Sequence, residues 1–87
     1  MKSTGTDGFW RRYRELLPEA QSAARRAYKK FADNPAHPSL QLERLRGDTR
    51  FWSVRVTRDY RAVARRFGDD VWLWVGPHKE FDRTFGA

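Results

Sequence analysis

Residues Phe51 to Val63 read Phe-Trp-Ser-Val-Arg-Val-Thr-Arg-Asp-Tyr-Arg-Ala-Val, and no other run constrains the fold as much. Alternation of apolar and polar residues with period two is the pattern of a strand. It breaks at Arg58-Asp59, which reads as a hairpin turn. Trp52, Val54 and Val56 fall on one face of the first strand. In the second strand, Tyr60, Ala62, Ala64 and Arg66 fall on one face and Arg61, Val63 and Arg65 on the other. Arg55 and Arg61 are thus planted in a hairpin whose neighbouring residues belong in a core. Whether the two share a face depends on the turn. A two-residue loop opposes Thr57 to Tyr60 and separates them, whereas a three-residue or bulged loop brings them together.

Upstream of the hairpin the period is helical. Phe9, Tyr13 and Leu16 recur at helical spacing, with Trp10 and Leu17 beside them. Pro18 suits the first turn of a second helix, expected over Glu19 to Ala32. Ala20, Ala24, Ala27 and Phe31 line one side of it, flanked by Ala23 and Tyr28. Arg25, Arg26, Lys29 and Lys30 lie opposite, as a solvated face or as phosphate contacts. Asp33 to Ser39, with two prolines, is a loop.

Leu40, Leu42 and Leu45 alternate with polar residues and suggest a short strand, followed by a turn at Gly47-Asp48-Thr49. Strands follow over Phe51 to Thr57, Tyr60 to Phe67 and, after a tight turn at Gly68-Asp69-Asp70, Val71 to Val75. The last is apolar on both faces and so is expected to be central or well covered. His78 to Ala87 reads as a tail. Residues 1–8 are polar and glycine-bearing, and read as a disordered or frayed N-terminus. Lys2 to Asp7 carries no apolar alternation to support a strand. Residues 9–87 then form a single α+β domain, two N-terminal helices packed on a small twisted antiparallel β-sheet.

A chain of 87 residues is expected to bury only about 60–65% of its unfolded surface, so its thirteen aromatic residues matter to the core. The absence of cysteine excludes disulfides and thiolate-bound metal, and fits a reducing cytosol. No apolar run approaches the ~20 residues of a membrane span, and residues 1–8 lack a signal peptide's apolar stretch. These features point to a cytoplasmic protein with no membrane partner. The net charge of +7 points to a polyanionic partner, and 14 of the 18 cationic side chains are arginine, the one suited to planar phosphate recognition.

His37 and His78 sit in no metal-ligand spacing, no glycine-rich phosphate loop exists, and no Ser/His/Asp set stands out. No metal or cofactor is called for. What remains is a basic constellation: Arg55, Arg58, Arg61, Arg65, Arg66, His78, Lys79 and Arg83. Arg61 reads either as a salt bridge to Asp59 or Glu43, or as a guanidinium that clamps a phosphate and stabilises charge developing in phosphoryl transfer. His78 reads either as an exposed loop residue or as a general acid or base. RNA cleavage by a 2′-hydroxyl needs a proton acceptor, a stabiliser for the phosphorane-like charge and a proton donor to the leaving 5′-oxygen. An arginine patch with one histidine can supply these without a metal. Trp52, Trp72 and Trp74 are either core or stacking residues, and Phe81 is the further stacking candidate.

Several short motifs, in order, carry a family resemblance from Phe9 to Phe85. They are Leu17-Pro18, Asn-Pro-x-His-Pro-Ser-Leu from Asn34 to Leu40, and Leu45-Arg46-Gly47. Trp-Ser-x-Arg-Val from Trp52, Asp-Tyr-Arg-Ala-Val from Asp59 and Trp-Val-Gly-x-His-x-x-Phe-Asp-Arg from Trp74 follow. The chain resembles the RelE/ParE superfamily of type II toxin–antitoxin toxins. The resemblance implies a microbial-RNase-like fold and a cognate antitoxin. It also implies one of two targets: mRNA in the ribosomal A site for the RelE-like branch, or DNA gyrase for the ParE-like branch. Arg61 then matches the strand arginine that contacts the scissile phosphate, Arg55 a second hairpin arginine, and His78 a C-terminal segment where the nuclease branch carries Arg or His. Phe81 stands where many members have Tyr, and Trp52 and Val54 where some carry lysines. The expected function is a metal-independent, ribosome-dependent mRNA endonuclease. Arg58, Arg65, Lys79, Arg83 and the basic helix face would hold mRNA and ribosomal RNA phosphates. The alternative is a non-catalytic gyrase inhibitor or an inactive binding protein of the same fold.

Overall fold

A computed structural model describes residues 3–45, 48–67 and 69–85. The first helix, α1 (Asp7–Arg14), starts at Thr6, whose hydroxyl accepts the Phe9 N–H at 3.1 Å. The second, α2 (Pro18–Asp33), opens on its proline and buries Ala20, Ala23, Ala24, Ala27 and Phe31. Gln21 ties the two together, its Nε2 donating to the Tyr13 carbonyl at 3.0 Å.

The remaining elements are β1 (Ser3–Gly5), β2 (Glu43–Leu45), β3 (Asp48–Arg55), β4 (Tyr60–Phe67), β5 (Asp69–Pro77) and α3 (His78–Phe85). They form one five-stranded sheet in the order β1-β5-β4-β3-β2. The antiparallel run β2 to β5 and the two N-terminal helices follow the α+β arrangement expected from the sequence.

Five segments differ from expectation. Ser3–Gly5, within the stretch read as frayed, pairs in parallel with Asp70–Trp72, and the Thr6 N–H closes the ladder on the Trp72 carbonyl at 2.9 Å. A backbone ladder needs no apolar alternation, which is why composition hid it. Gly5 is required there, because a Cβ would stand 2.8 Å from both the Phe9 ring and the Trp10 indole nitrogen. Leu40 does not begin a strand. Pro38–Leu40 is a 3-10 turn, His37 Nδ1 accepts the Ser39 N–H, and Gln41 at φ 43° reverses the chain before β2. The tail from His78 is helical through Phe85, with Phe81 and Phe85 one turn apart against Trp74 at ring distances of 6.2 and 5.4 Å. Asp48 and Thr49, read as turn, lie in β3, and Asp69 and Asp70 lie in β5; Gly47 and Gly68 fall outside the described residues, as do Met1 and Lys2.

The core sits between α1, α2 and one face of the sheet. Phe9, Ala27, Phe31 and Leu40 pack on Val54, Ala62, Ala64, Trp72 and Val75. The Trp72 ring is its centre, 5.1 Å from Phe31 and 5.5 Å from Tyr28. In β5, Trp72 pairs with Ala64 but Trp74 pairs with Val63, so Leu73 is an extra residue that turns the two tryptophans to opposite faces. This explains a strand apolar on both sides: α2 covers Trp72 and α3 covers Trp74.

Candidate functional site: an arginine pair at a bulged hairpin

The β3–β4 connection carries a β-bulge. The N–H groups of Val56 and Thr57 both donate to the Tyr60 carbonyl, at 3.1 and 3.2 Å, so two residues oppose one. Val54 therefore lies opposite Ala62 in the core, and Arg55 lies opposite Arg61 on the other face. Two guanidinium-bearing positions are held side by side across the ladder.

Arg61 does not form the salt bridge to Asp59 or Glu43 that the sequence left open. Its Nη1 donates to the Thr57 carbonyl at 2.6 Å and the Tyr60 carbonyl at 3.1 Å, with a longer contact to Arg58 O at 3.4 Å. Its Nε and Nη2 have no hydrogen-bond partner among the described residues. Burial, and then neighbouring Arg55, pushes the Arg61 pKa below its ordinary value, while Asp82, Glu43 and Asp59 pull the other way. The group stays charged at neutral pH.

His78 joins this end of the sheet through the backbone. Its N–H donates to the Asp59 carbonyl at 2.7 Å, fixing the start of α3 on the turn. Its Nε2 lies 3.3 Å from Asp82 Oδ1, and the ring stacks on Phe81 at 6.3 Å. A cleft of about 520 Å³ opens beside it, lined in part by Leu17, Glu19, Tyr60 and Lys79.

The other sequence candidates divide into three groups. Arg58 in the turn, Lys79 and Arg83 on α3, and Arg65 on the Arg61 face of β4 are exposed. Arg25, Arg26, Lys29 and Lys30 are exposed on α2, in the layer across the sheet; Arg25 is engaged with the Tyr13 hydroxyl at 2.8 Å. Phe81 is half-buried between Trp74, Phe85 and His78, so only part of its ring is open. Among the tryptophans, Trp72 and Trp74 are buried, while Trp52 is flanked by the Arg44 and Arg66 guanidiniums at 5.1 and 5.8 Å. Asp82 escaped the sequence reading. Its i,i+4 relation to His78 has meaning only once the tail is helical.

Chemically, the site offers a guanidinium with one edge anchored and a planar donor edge open, the geometry that grips a phosphate in two places. Arg55 adds a second positive charge, and His78 can move a proton. Among the described residues no group of three or more His, Cys, Asp or Glu side chains is placed to hold a metal ion. No helix of the described residues is long and apolar enough to cross a membrane.

Comparison with known proteins fits this architecture. The fold is similar to the YoeB/ParE toxin of Agrobacterium tumefaciens, with a TM-score of 0.74 and 22% identity over 90% of this chain and 99% of that one. It is similar to a RelB–RelE antitoxin–toxin complex from Methanococcus jannaschii, at 0.75 and 11% over 93% and 98%. Escherichia coli YafQ matches at 0.76 and 8% over 92% and 96%. No curated protein sequence matches the chain. The ParE-like toxin domain family matches residues 18–83, three-quarters of its length. The chain belongs to the ParE-like toxin domain family.

Proposed function

We propose that this chain is the toxin of a toxin–antitoxin pair that cleaves mRNA on the ribosome in the cytoplasm, without a metal. The open Nε/Nη2 edge of Arg61 carries this reading. Held by its other edge, it meets the phosphate without reorganising, which favours charge stabilisation in the transition state. The 2′-oxygen attacks phosphorus, the 5′-oxygen leaves, and a cyclic phosphate and a 5′-hydroxyl result. Arg61 and Arg55 stabilise the added charge, and His78 carries out one of the two proton transfers with solvent water carrying out the other. Arg58, Arg65, Lys79 and Arg83 hold flanking phosphates. A cognate antitoxin is supported by the solved relatives that are toxin–antitoxin complexes, the M. jannaschii RelB–RelE and E. coli DinJ–YafQ pairs. Expression followed by mapping of transcript ends on ribosomes tests the reading. Codon-phased cuts that Arg61→Ala abolishes, with antitoxin binding intact, are the expected result; an equally toxic Arg61→Ala overturns it.

A second reading follows from the ParE-like family match and from Phe81, which offers no phenolic hydroxyl. In it the chain inhibits DNA gyrase without cleaving anything. Unbroken mRNA with a DNA-damage response is its signature.

A further inference from the structure

A second basic recess lies on the helix side of the β3 terminus. It is a pocket of about 230 Å³ between α2 and the bulged turn, lined by Arg26, Lys30, Ser39, Arg55 and Thr57 over a floor of small apolar residues. No carboxylate lines it among the described residues. Lys30 Nζ donates to the Ser39 hydroxyl at 3.3 Å, its one hydrogen bond among the described residues. That hydroxyl lies 2.8 Å from His37 Nδ1, which also accepts the Ser39 N–H. Arg26 and Arg55 have no hydrogen-bond or ion-pair partner among the described residues. Cations gathered in a recess against neutral hydroxyls repel one another until an anion arrives. Arg55 borders this pocket from the strand, while its place in the ladder puts it beside Arg61 on the far face, so the pocket and the arginine pair flank the same end of the hairpin.

We propose that this pocket is a phosphate subsite, gripping a backbone phosphate of the single-stranded RNA whose scissile phosphate sits at Arg61, with the strand passing round the end of the hairpin. The proposal rests on the RNA-cleavage reading for its choice of ligand. Two cations and two hydroxyls suit a phosphate's several acceptor oxygens better than a single carboxylate. Free inorganic phosphate shares that chemistry, and the test separates the two sources.

The experiment uses the purified full chain, amide-resolved NMR and two probes: inorganic phosphate, and a short single-stranded RNA made uncleavable by 2′-deoxy substitution. Both are expected to shift the Ala27, Ser39 and Thr57 amides, with RNA displacing phosphate. Arg26→Ala/Lys30→Gln should remove these shifts and leave the rest of the spectrum unchanged, since both side chains are exposed. The same double variant should weaken RNA binding roughly five- to tenfold and reduce the salt slope by about 0.7 for one lost phosphate contact. Phosphate shifts that RNA neither reproduces nor displaces would overturn the RNA assignment. Shifts produced by a glutamate-rich peptide but by neither probe would overturn the phosphate chemistry. Wild-type protein that binds RNA in the pocket but never cuts mRNA would sink the nuclease reading and leave the subsite standing.

Discussion

Replacing Arg61 with alanine should weaken the β3–β4 turn as well as remove a phosphate contact, and the two effects can be sized separately. Nη1 makes two short bonds, to the Thr57 and Tyr60 carbonyls. A hydrogen bond from a charged donor contributes about 1.5–3 kcal/mol when shielded, and the half-exposed turn argues for less, so about 1 kcal/mol each. Removing the like charge opposite Arg55 returns about 0.2–1 kcal/mol. The net loss is then about 1–2 kcal/mol, which for a domain of this size lowers the melting temperature by roughly 5–15 °C. Urea denaturation of the free protein should show a lower midpoint with an unchanged slope. On the proposed nuclease reading, cleavage should fall by about 10²–10³, the usual effect of deleting one donor to a developing oxyanion. Arg61→Lys separates the two: an ammonium keeps a carbonyl bond and about half the stability, but lacks the planar edge and stays inactive. An Arg61→Ala protein as stable as wild type, or an Arg61→Lys protein with full activity, would refute the two-edged role.

Arg55→Ala removes a repulsion without breaking a bond to a described residue, so it should stabilise by about 0.2–1 kcal/mol in the same denaturation assay while weakening RNA binding. Arg61 sets no neutral-range pH dependence: its folded pKa is depressed, so the native state carries a constant cost at every pH well below it, and stability gains with pH only near guanidinium titration. Melting temperatures of wild type and Arg61→Lys should therefore run parallel from roughly pH 6 to 8. Gly76→Ala should cost about 1–3 kcal/mol by calorimetry, because the new methyl would stand 2.9 Å from the Trp74 ring. Trp74→Phe should cost less than about 1.5 kcal/mol, since it deletes a buried indole N–H with no acceptor among the described residues. Trp74→Ala should cost about 3–5 kcal/mol.

The hairpin shows what the sequence could and could not tell. The face of Arg55 relative to Arg61 was readable after all. If Val54 and Ala62 both face the helices, period two puts Arg55 and Arg61 together on the far side, and the turn must absorb the odd residue as a bulge. Core parity decided the turn, not the reverse. The carbonyl cage around Arg61 was not readable, because its acceptors are main-chain atoms that every residue carries. The same holds for β1, built from backbone alone, and its only trace is Gly5 under the Phe9 and Trp10 rings. α3 hid behind Gly76-Pro77, and with it the His78–Asp82 pair. The α2 face was legible because an alanine row beside Phe31 has one helical reading.

The bulge has a genetic consequence. If the chain is toxic as proposed, a cell carrying it would select for lesions that silence it, in-frame indels and missense changes among them. Because the register that places the arginines together is the register that buries Val54 against α2, losing or gaining one codon between Val56 and Asp59 sets turn against core. Such alleles should surface as degraded protein, not as folded bystanders. On the toxin–antitoxin reading proposed above, silenced but intact copies, still able to occupy an antitoxin, should arise mainly by substitution at Arg55, Arg61 and His78.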